Sequence, residues 1–266
     1  MPSRPRHRFR HLPLSARQVA GSWPRSVGAM QAVRFAPPCS AADLRGICEW
    51  AGLSCSAGAH PGLPVAALRR LVRAAARNSG ANSYHHQGHF AHVIMAAGVL
   101  AALAGLHEKD RALLVLAALV HDLDHQGRRG ARTLYWQEEL SFRVACRALL
   151  GRGGDARLAV RLRSLLRATA LTNDDARLLT IRSDRLARLL TDADIFASVM
   201  YERKLSVRMT AALKLEQRLE GAPDMLNAAF AGLVARDGLK SVAASRLLAA
   251  VQTDRAASRN MMTAGA

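Results

Sequence analysis

The chain has 266 residues, half of them apolar and 22% charged, which is enough to bury a core and excludes a wholly disordered chain. Aromatic residues are scarce (3 Trp, 3 Tyr, 6 Phe) beside Ala, Leu and Arg, a balance that favours helices and argues against an all-β fold. The formal net charge of +18 favours an anionic partner such as a nucleotide, nucleic acid or an acidic surface without choosing among them.

Eight of the nine prolines fall in the first 64 residues, and Arg4, Arg6, Arg8, Arg10, Arg17, Arg25 and Arg34 precede the first acid, Asp43. These features predict a mobile, Pro/Arg-rich basic arm over residues 1–40, either a solvated tail or a grip on an anionic partner, with Met30 as an alternative start. A short helical cap is expected over 41–80, from the patterns Ala41–Trp50 and Val65–Arg77 around the turn-rich Ala57–Pro64. The main domain is expected over 81–256, with six or seven helices broken at Gly105–Lys109, Gly127–Gly130, Gly151–Gly154, Thr172–Asp175 and Gly221–Asp224, and a flexible tail over 257–266. No stretch alternates with period two, so the fold class is all-α, a compact multi-helix bundle.

The four cysteines form no CxxC pair and read as reduced thiols. The longest apolar run, Val93 to Leu106, has 14 residues, short of the roughly 18 a membrane span needs, so a soluble, cytoplasmic protein with no membrane partner is expected.

Chemistry concentrates in two segments. Tyr84-His85-His86-Gln87-Gly88-His89 sets His85 and His89 four apart, on one face of a helix beginning there. His121-Asp122-Leu123-Asp124-His125-Gln126-Gly127 closes the apolar run Ala112–Val120, so a buried helix would carry its polar end into the interior. Imidazole and carboxylate buried together are costly unless they are paired, hydrogen-bonded or bound to a cation. Their donor atoms suit zinc, iron or manganese, and carboxylates alone suit magnesium. A third apolar helical run, Leu190–Phe196, offers Asp192 or Asp194 to complete such a site. His86 and His92 read as surface residues, and the stripes Val93–Leu103 and Leu113–Val120 as core.

The order H...HD...D with an HDxDHxG second motif resembles the HD-domain superfamily of metal-dependent phosphohydrolases. The first motif looks like the YHNxxH of class I cyclic nucleotide phosphodiesterases, and HDLDHQG is similar to their second; the likeness covers about residues 80–200. His86 stands where that family has asparagine, as does Gly130 at the end of HxGxxN. No counterpart of the later ExHH motif is present, and 72 positions separate Asp122 from Asp194, fewer than in those enzymes.

The resemblance implies an HD-domain bundle in which His89, His121, Asp122 and Asp194 bind one or two divalent metal ions (Zn, Mg, Mn or Fe), Asp122 bridging to the second. It makes His85 the general acid and His125 a catalytic neighbour that orients the attacking water or meets the phosphate. Asp124 and Glu138 would support the metal-bound groups from outside, Glu138 with Ser141 in an ExxS pattern. The ADI context favours Asp194 over Asp192. Arg128 and Arg129, with Arg132, would hold a substrate phosphate or form a solvated turn. Tyr201, Lys204 and Gln217 stand where related enzymes recognise the base.

The implied reaction is hydrolysis of a phosphodiester in a small nucleotide-like molecule, a 3′,5′-cyclic nucleotide before other phosphate esters. A divalent ion lowers the pKa of its bound water from about 15.7 to about 7, and imidazole, which ordinarily titrates near neutrality, is suited to protonate the leaving oxygen. The alternatives are a nucleotidase or alarmone hydrolase on the same scaffold, and a non-catalytic metal- or nucleotide-binding regulatory module whose basic arm engages nucleic acid or a protein.

Overall fold

A computed structural model describes residues 15–35, 40–55, 60, 62–77, 82–127, 135–151, 153–170 and 184–264. Among these it contains twelve helices and no strand, an all-α fold as expected. They are α1 (Ala16–Gly21), α2 (Val27–Arg34), α3 (Ala41–Ala51), α4 (Val65–Arg77), α5 (Gln87–Leu103), α6 (Glu108–Val120), α7 (Trp136–Leu150), α8 (Ala156–Arg167), α9 (Arg185–Met200), α10 (Arg203–Gln217), α11 (Pro223–Asp237) and α12 (Val242–Ala264). No helix among the described residues is long and apolar enough to cross a membrane.

Helix α5 is the axis of the bundle. Every residue from Gln87 to Ala101 is buried, because a helix apolar on all faces must be enclosed, and α1, α2, α3, α6 and α9 pack around it. Gly98 allows a close approach of α3: a Cβ there would stand 2.8 Å from both Cα and Cβ of Ala51. Ala112–Val120 of α6 are likewise buried, and α9 buries a run from Leu186 to Met200 broken at Arg188, Asp194, Ser198 and Val199. Three core helices therefore converge where the motif residues lie. Several helix starts follow from local chemistry: Ser40 and Asp43 form a capping box on α3, Asp155 caps α8 and Asp184 caps α9.

The N-terminal arm is corrected. Residues 1–14 lie outside the described residues, but 16–34 form α1 and α2, and Val19, Met30 and Val33 are buried in the main core. Trp23 donates from Nε1 to the Leu247 carbonyl at 3.0 Å and meets Phe196 edge-on at 5.5 Å. Each fully buried aliphatic side chain contributes roughly 1.5–3 kcal/mol, which offsets the pull of water on the surrounding arginines. The prolines punctuate helices instead of preventing them: Pro24 lies between α1 and α2, Pro64 precedes α4, and Pro223 opens α11, positions where the missing N–H has no helical partner to lose.

The expected cap, 41–80, also joins the main core through Leu44, Ile47, Leu68 and Leu71. Its two helical patterns coincide with α3 and α4 to within a residue. Among the described residues eight helices follow Tyr84 instead of six or seven, because α9 and α10 part at Tyr201 and Glu202 without glycine or proline, and Gly238, at φ +70°, ends α11. The tail expected from 257 is helical as far as Ala264. The break expected at Thr172–Asp175 lies outside the described residues.

Candidate metal centre

His89 sits in the first turn of α5, His121 is the C-cap of α6 with Asp122 directly after it, and Asp194 projects from the middle of α9. Their donor atoms meet. His89 Nε2 lies 3.1 Å from His121 Nε2, 3.1 Å from Asp122 Oδ2 and 3.3 Å from Asp194 Oδ1. His121 Nε2 lies 3.1 Å from Asp122 Oδ2 and 3.4 Å from Asp194 Oδ1. The imidazoles form the inner wall, with side chains 2% and 0% exposed, while Asp122 and Asp194 at 13% and 24% face the open side.

The donor set fits a divalent cation. Bonds of about 2.1 Å to neighbouring ligands separate those ligands by about 3.0–3.4 Å, the range seen here. His121 Nδ1 donates to the Ala118 carbonyl at 2.8 Å, which leaves the Nε2 lone pair facing the cluster, the tautomer a metal ligand needs. Without a cation the group holds protons. Burial alone would lower the His121 imidazole, but Asp122 and then Asp194 outweigh it and keep it well above the usual histidine range. Burial would raise both carboxyls, yet the facing histidines hold Asp122 and Asp194 well below theirs. Such a negative, imidazole-lined recess is one that a cation can occupy in place of a proton.

Beside it stands a second group, His85, His125 and Glu216. Glu216, near the end of α10, accepts the backbone N–H of Tyr84 at 2.7 Å and of His85 at 3.0 Å through Oε2, and the His85 Nδ1–H through Oε1. Burial would raise its carboxyl, but the hydrogen bond from His85 and the backbone donors bring it down to about 2. With Nδ1 so held, His85 points Nε2 at the cluster, 3.8 Å from Asp122 Oδ2. The His125 ring stacks on His85 with centroids 3.6 Å apart. Its Nδ1 accepts the Gly127 N–H at 3.0 Å, and burial, then His85, lower it to about 4. Gly127 has a clear reason to be glycine: φ is +61°, and a Cβ would lie 2.7 Å from Asn82 Oδ1 and 3.1 Å from Glu216 Cγ. Asn82 completes the join by donating to the His125 carbonyl at 2.9 Å.

Sequence reasoning missed Glu216. The available signal was weak: it is the one acid in a helix that carries Arg203, Lys204, Arg208 and Lys214.

The remaining expectations divide. Asp192 stays out of the cluster and accepts the backbone N–H groups of Lys240 at 2.8 Å and Ser241 at 2.7 Å. Burial, then the nearby charges of Asp122 and Asp194, place the Glu138 carboxyl at about 7 although its own backbone opposes the shift. Ser141 Oγ donates to the Leu123 carbonyl at 2.9 Å and so anchors the HDLDHQG turn to α7. Asp124 is exposed, at φ +60°, and belongs to neither group of potential ligands.

His86 and His92 are not surface residues. His86 caps α5 by accepting the Gly88 N–H at 3.0 Å and lies 2.9 Å from the buried Arg34 guanidinium; burial and that charge push it down to about 4. His92 is fully buried against the Tyr201 hydroxyl, a position implied by the all-round apolar character of α5. Tyr201 is therefore core and not available to recognise a base, while Lys204 is exposed on α10 and Gln217 half-buried beside Glu216. Arg128, Arg129 and Arg132 lie outside the described residues.

The chain matches no protein-family model and no curated protein. It is an all-helical protein with a buried His/Asp cluster that could hold a metal ion.

Proposed function

We propose that this protein is a metal-dependent phosphohydrolase of the HD-domain type, cleaving a phosphodiester in a small nucleotide-like molecule, with 3′,5′-cyclic nucleotides as the first substrates to test. The observation that carries the reading is the convergence of His89, His121, Asp122 and Asp194 with a fifth polar group, the His85 Nε2 edge, aimed at the same point.

His89, His121, Asp122 and Asp194 would hold the cation, with Asp122 placed to share a second. When bound, the ion supplies Lewis acidity, neutralising phosphate charge and making bound water acidic. His85 is the proton donor to the leaving oxygen. Its Nδ1 is committed to Glu216, so the proton exchanged with substrate sits on Nε2, and the Glu216 carboxylate fixes the tautomer and orientation of the ring. His125, neutral at physiological pH, has Nδ1 occupied as an acceptor and presents Nε2–H as a donor for a phosphate oxygen. Stacking on His85 keeps both rings from turning away.

The test is hydrolysis of a bis-aryl phosphate and of a panel of cyclic and linear nucleotides, with and without added divalent metal. Activity is expected only with metal, and Asp122→Ala abolishes it. Turnover that survives in the variant, or in chelator, overturns the mechanism; preference for a phosphomonoester moves the substrate to the nucleotidase class.

A further inference from the structure

On the opposite flank of α9 from Asp194, a cavity of about 280 Å³ opens between α9, the end of α5 and the start of α12. Four cationic side chains line it, Arg185 and Arg188 from α9, and Lys240 and Arg246 at the start of α12, and no acid lines it among the described residues. Leu103 and Leu189 form its apolar wall. A concavity lined by charges of one sign focuses their field and concentrates anions.

Two of the cations are tethered by carbonyl oxygens, Arg185 to Ala104 and Lys240 to Asp237 at 3.1 Å, and Asp192, the carboxylate that Lys240 senses, is already engaged by backbone N–H groups. Arg188 is the telling group: its Nε–H is buried and has no acceptor, and a buried donor left unmade costs about 1–3 kcal/mol. The wall that carries Lys240 is rigid, because Asp192 accepts both the Lys240 and Ser241 N–H groups, and the first turn of α12 adds the positive end of a long helix.

We propose that this cleft is a second binding site, distinct from the histidine cluster, for a phosphate group, whether free phosphate or the phosphate of a nucleoside monophosphate whose organic part lies on Leu103 and Leu189. Guanidinium groups match phosphate oxygens in paired hydrogen bonds, and an acceptor reaching Arg188 satisfies its buried Nε–H. The site rests on the cleft alone and not on the hydrolase reading.

The experiment is isothermal titration of the full chain, in chelator so that no cation occupies the histidine cluster, with inorganic phosphate, adenosine monophosphate and adenosine at matched ionic strength. Saturable binding of phosphate is expected, tighter binding of the monophosphate if the apolar wall takes part, and no binding of adenosine. The double variant Arg185→Gln, Arg246→Gln, both exposed positions, weakens phosphate binding about tenfold or more, and Arg188→Gln does the same. Arg157→Gln, which makes the charge change of Arg188→Gln on exposed α8 surface, leaves it unaltered. Absence of saturable phosphate binding, binding of adenosine alone, or equal weakening by Arg157→Gln overturns the proposal.

Discussion

Two histidine–carboxylate groups lie side by side in this bundle, and their carboxylates are engaged in different ways. Glu216 receives two backbone N–H groups and an imidazole N–H, which fills its inner lone pairs with fixed donors. Among the described residues, Asp122 and Asp194 meet only imidazole nitrogens, donors that one proton, or a cation, must reconcile. The rings differ as well. His85 and His125 are stacked, 23° from parallel, so their in-plane lone pairs cannot converge, whereas His89 and His121 are tilted by 53° with Nε2 atoms 3.1 Å apart. Proximity alone would rank both groups as metal sites. Saturation of the carboxylates separates a site built to receive a cation from a clamp built to aim a histidine.

The sharpest way to break that comparison is to remove one carboxylate from each group and measure bound metal by elemental analysis after loading and desalting. Asp122→Ala is expected to lose the metal and all hydrolysis, while Glu216→Gln keeps the metal. Retained stoichiometry in Asp122→Ala, or its loss in Glu216→Gln, reverses the assignment. In the same Glu216→Gln protein, turnover should fall by about 10²-fold, the low end of what general acid catalysis contributes, with little change in KM because the clamp does not touch substrate.

How legible these features are depends on sequence distance. His89, His121, Asp122 and Asp194 could be named because their motifs and order resemble the HD-domain pattern; apolar helical context alone marks costly polar groups but leaves Asp192 beside Asp194 and gives no place to His92. Glu216 could not: it lies 131 positions from His85, in a cationic helix with no motif, and only the chain's path brings them together. The fold divides along similar lines. Helices α3 and α4 were readable from apolar spacing, whereas α1 and α2 were hidden by weighing seven arginines and several prolines above the spacing of Val19, Met30 and Val33. Arg34 shows the error in one residue. It is buried, with Nη2 donating to the Tyr84 carbonyl at 3.2 Å and the guanidinium 4.9 Å from the Tyr84 ring, and it supports the very segment that carries His85.

A smaller effect sharpens the contrast along α9. Asp192 and Asp194 are two residues apart and turned to different tasks, one holding backbone N–H groups and the other completing the cluster. Asp192→Asn leaves one of the two N–H groups facing an amide donor, and should cost about 1–3 kcal/mol in urea unfolding with metal content unchanged. Loss of metal in this variant would mean that the 240–241 turn is needed to hold α9 in register.

The smallest expected effect is on pH dependence, measured in chelator by thermal unfolding. His86 and His125 are held at about 4 against an ordinary 6.5, so between those values the unfolded chain takes up protons that the fold refuses, and stability falls as pH falls. Glu138, raised to about 7 from 4.5, acts in reverse: the fold keeps a proton the unfolded chain has lost, and stability rises as pH falls through that window. Glu216, at about 2 against 4.5, contributes above pH 4.5 and loses that contribution toward pH 2. His92, which burial holds well below the ordinary histidine range, acts with His86 and His125, so from pH 6.5 to 4.5 three histidines oppose one glutamate, and a net loss is expected. Glu138→Gln removes the opposing partner and should steepen the acid loss, whereas His86→Asn should flatten it. A Glu138→Gln curve that is flatter than that of the parent chain would show that this carboxyl is already charged in the fold, and that neither its burial nor the field of Asp122 and Asp194 raises it.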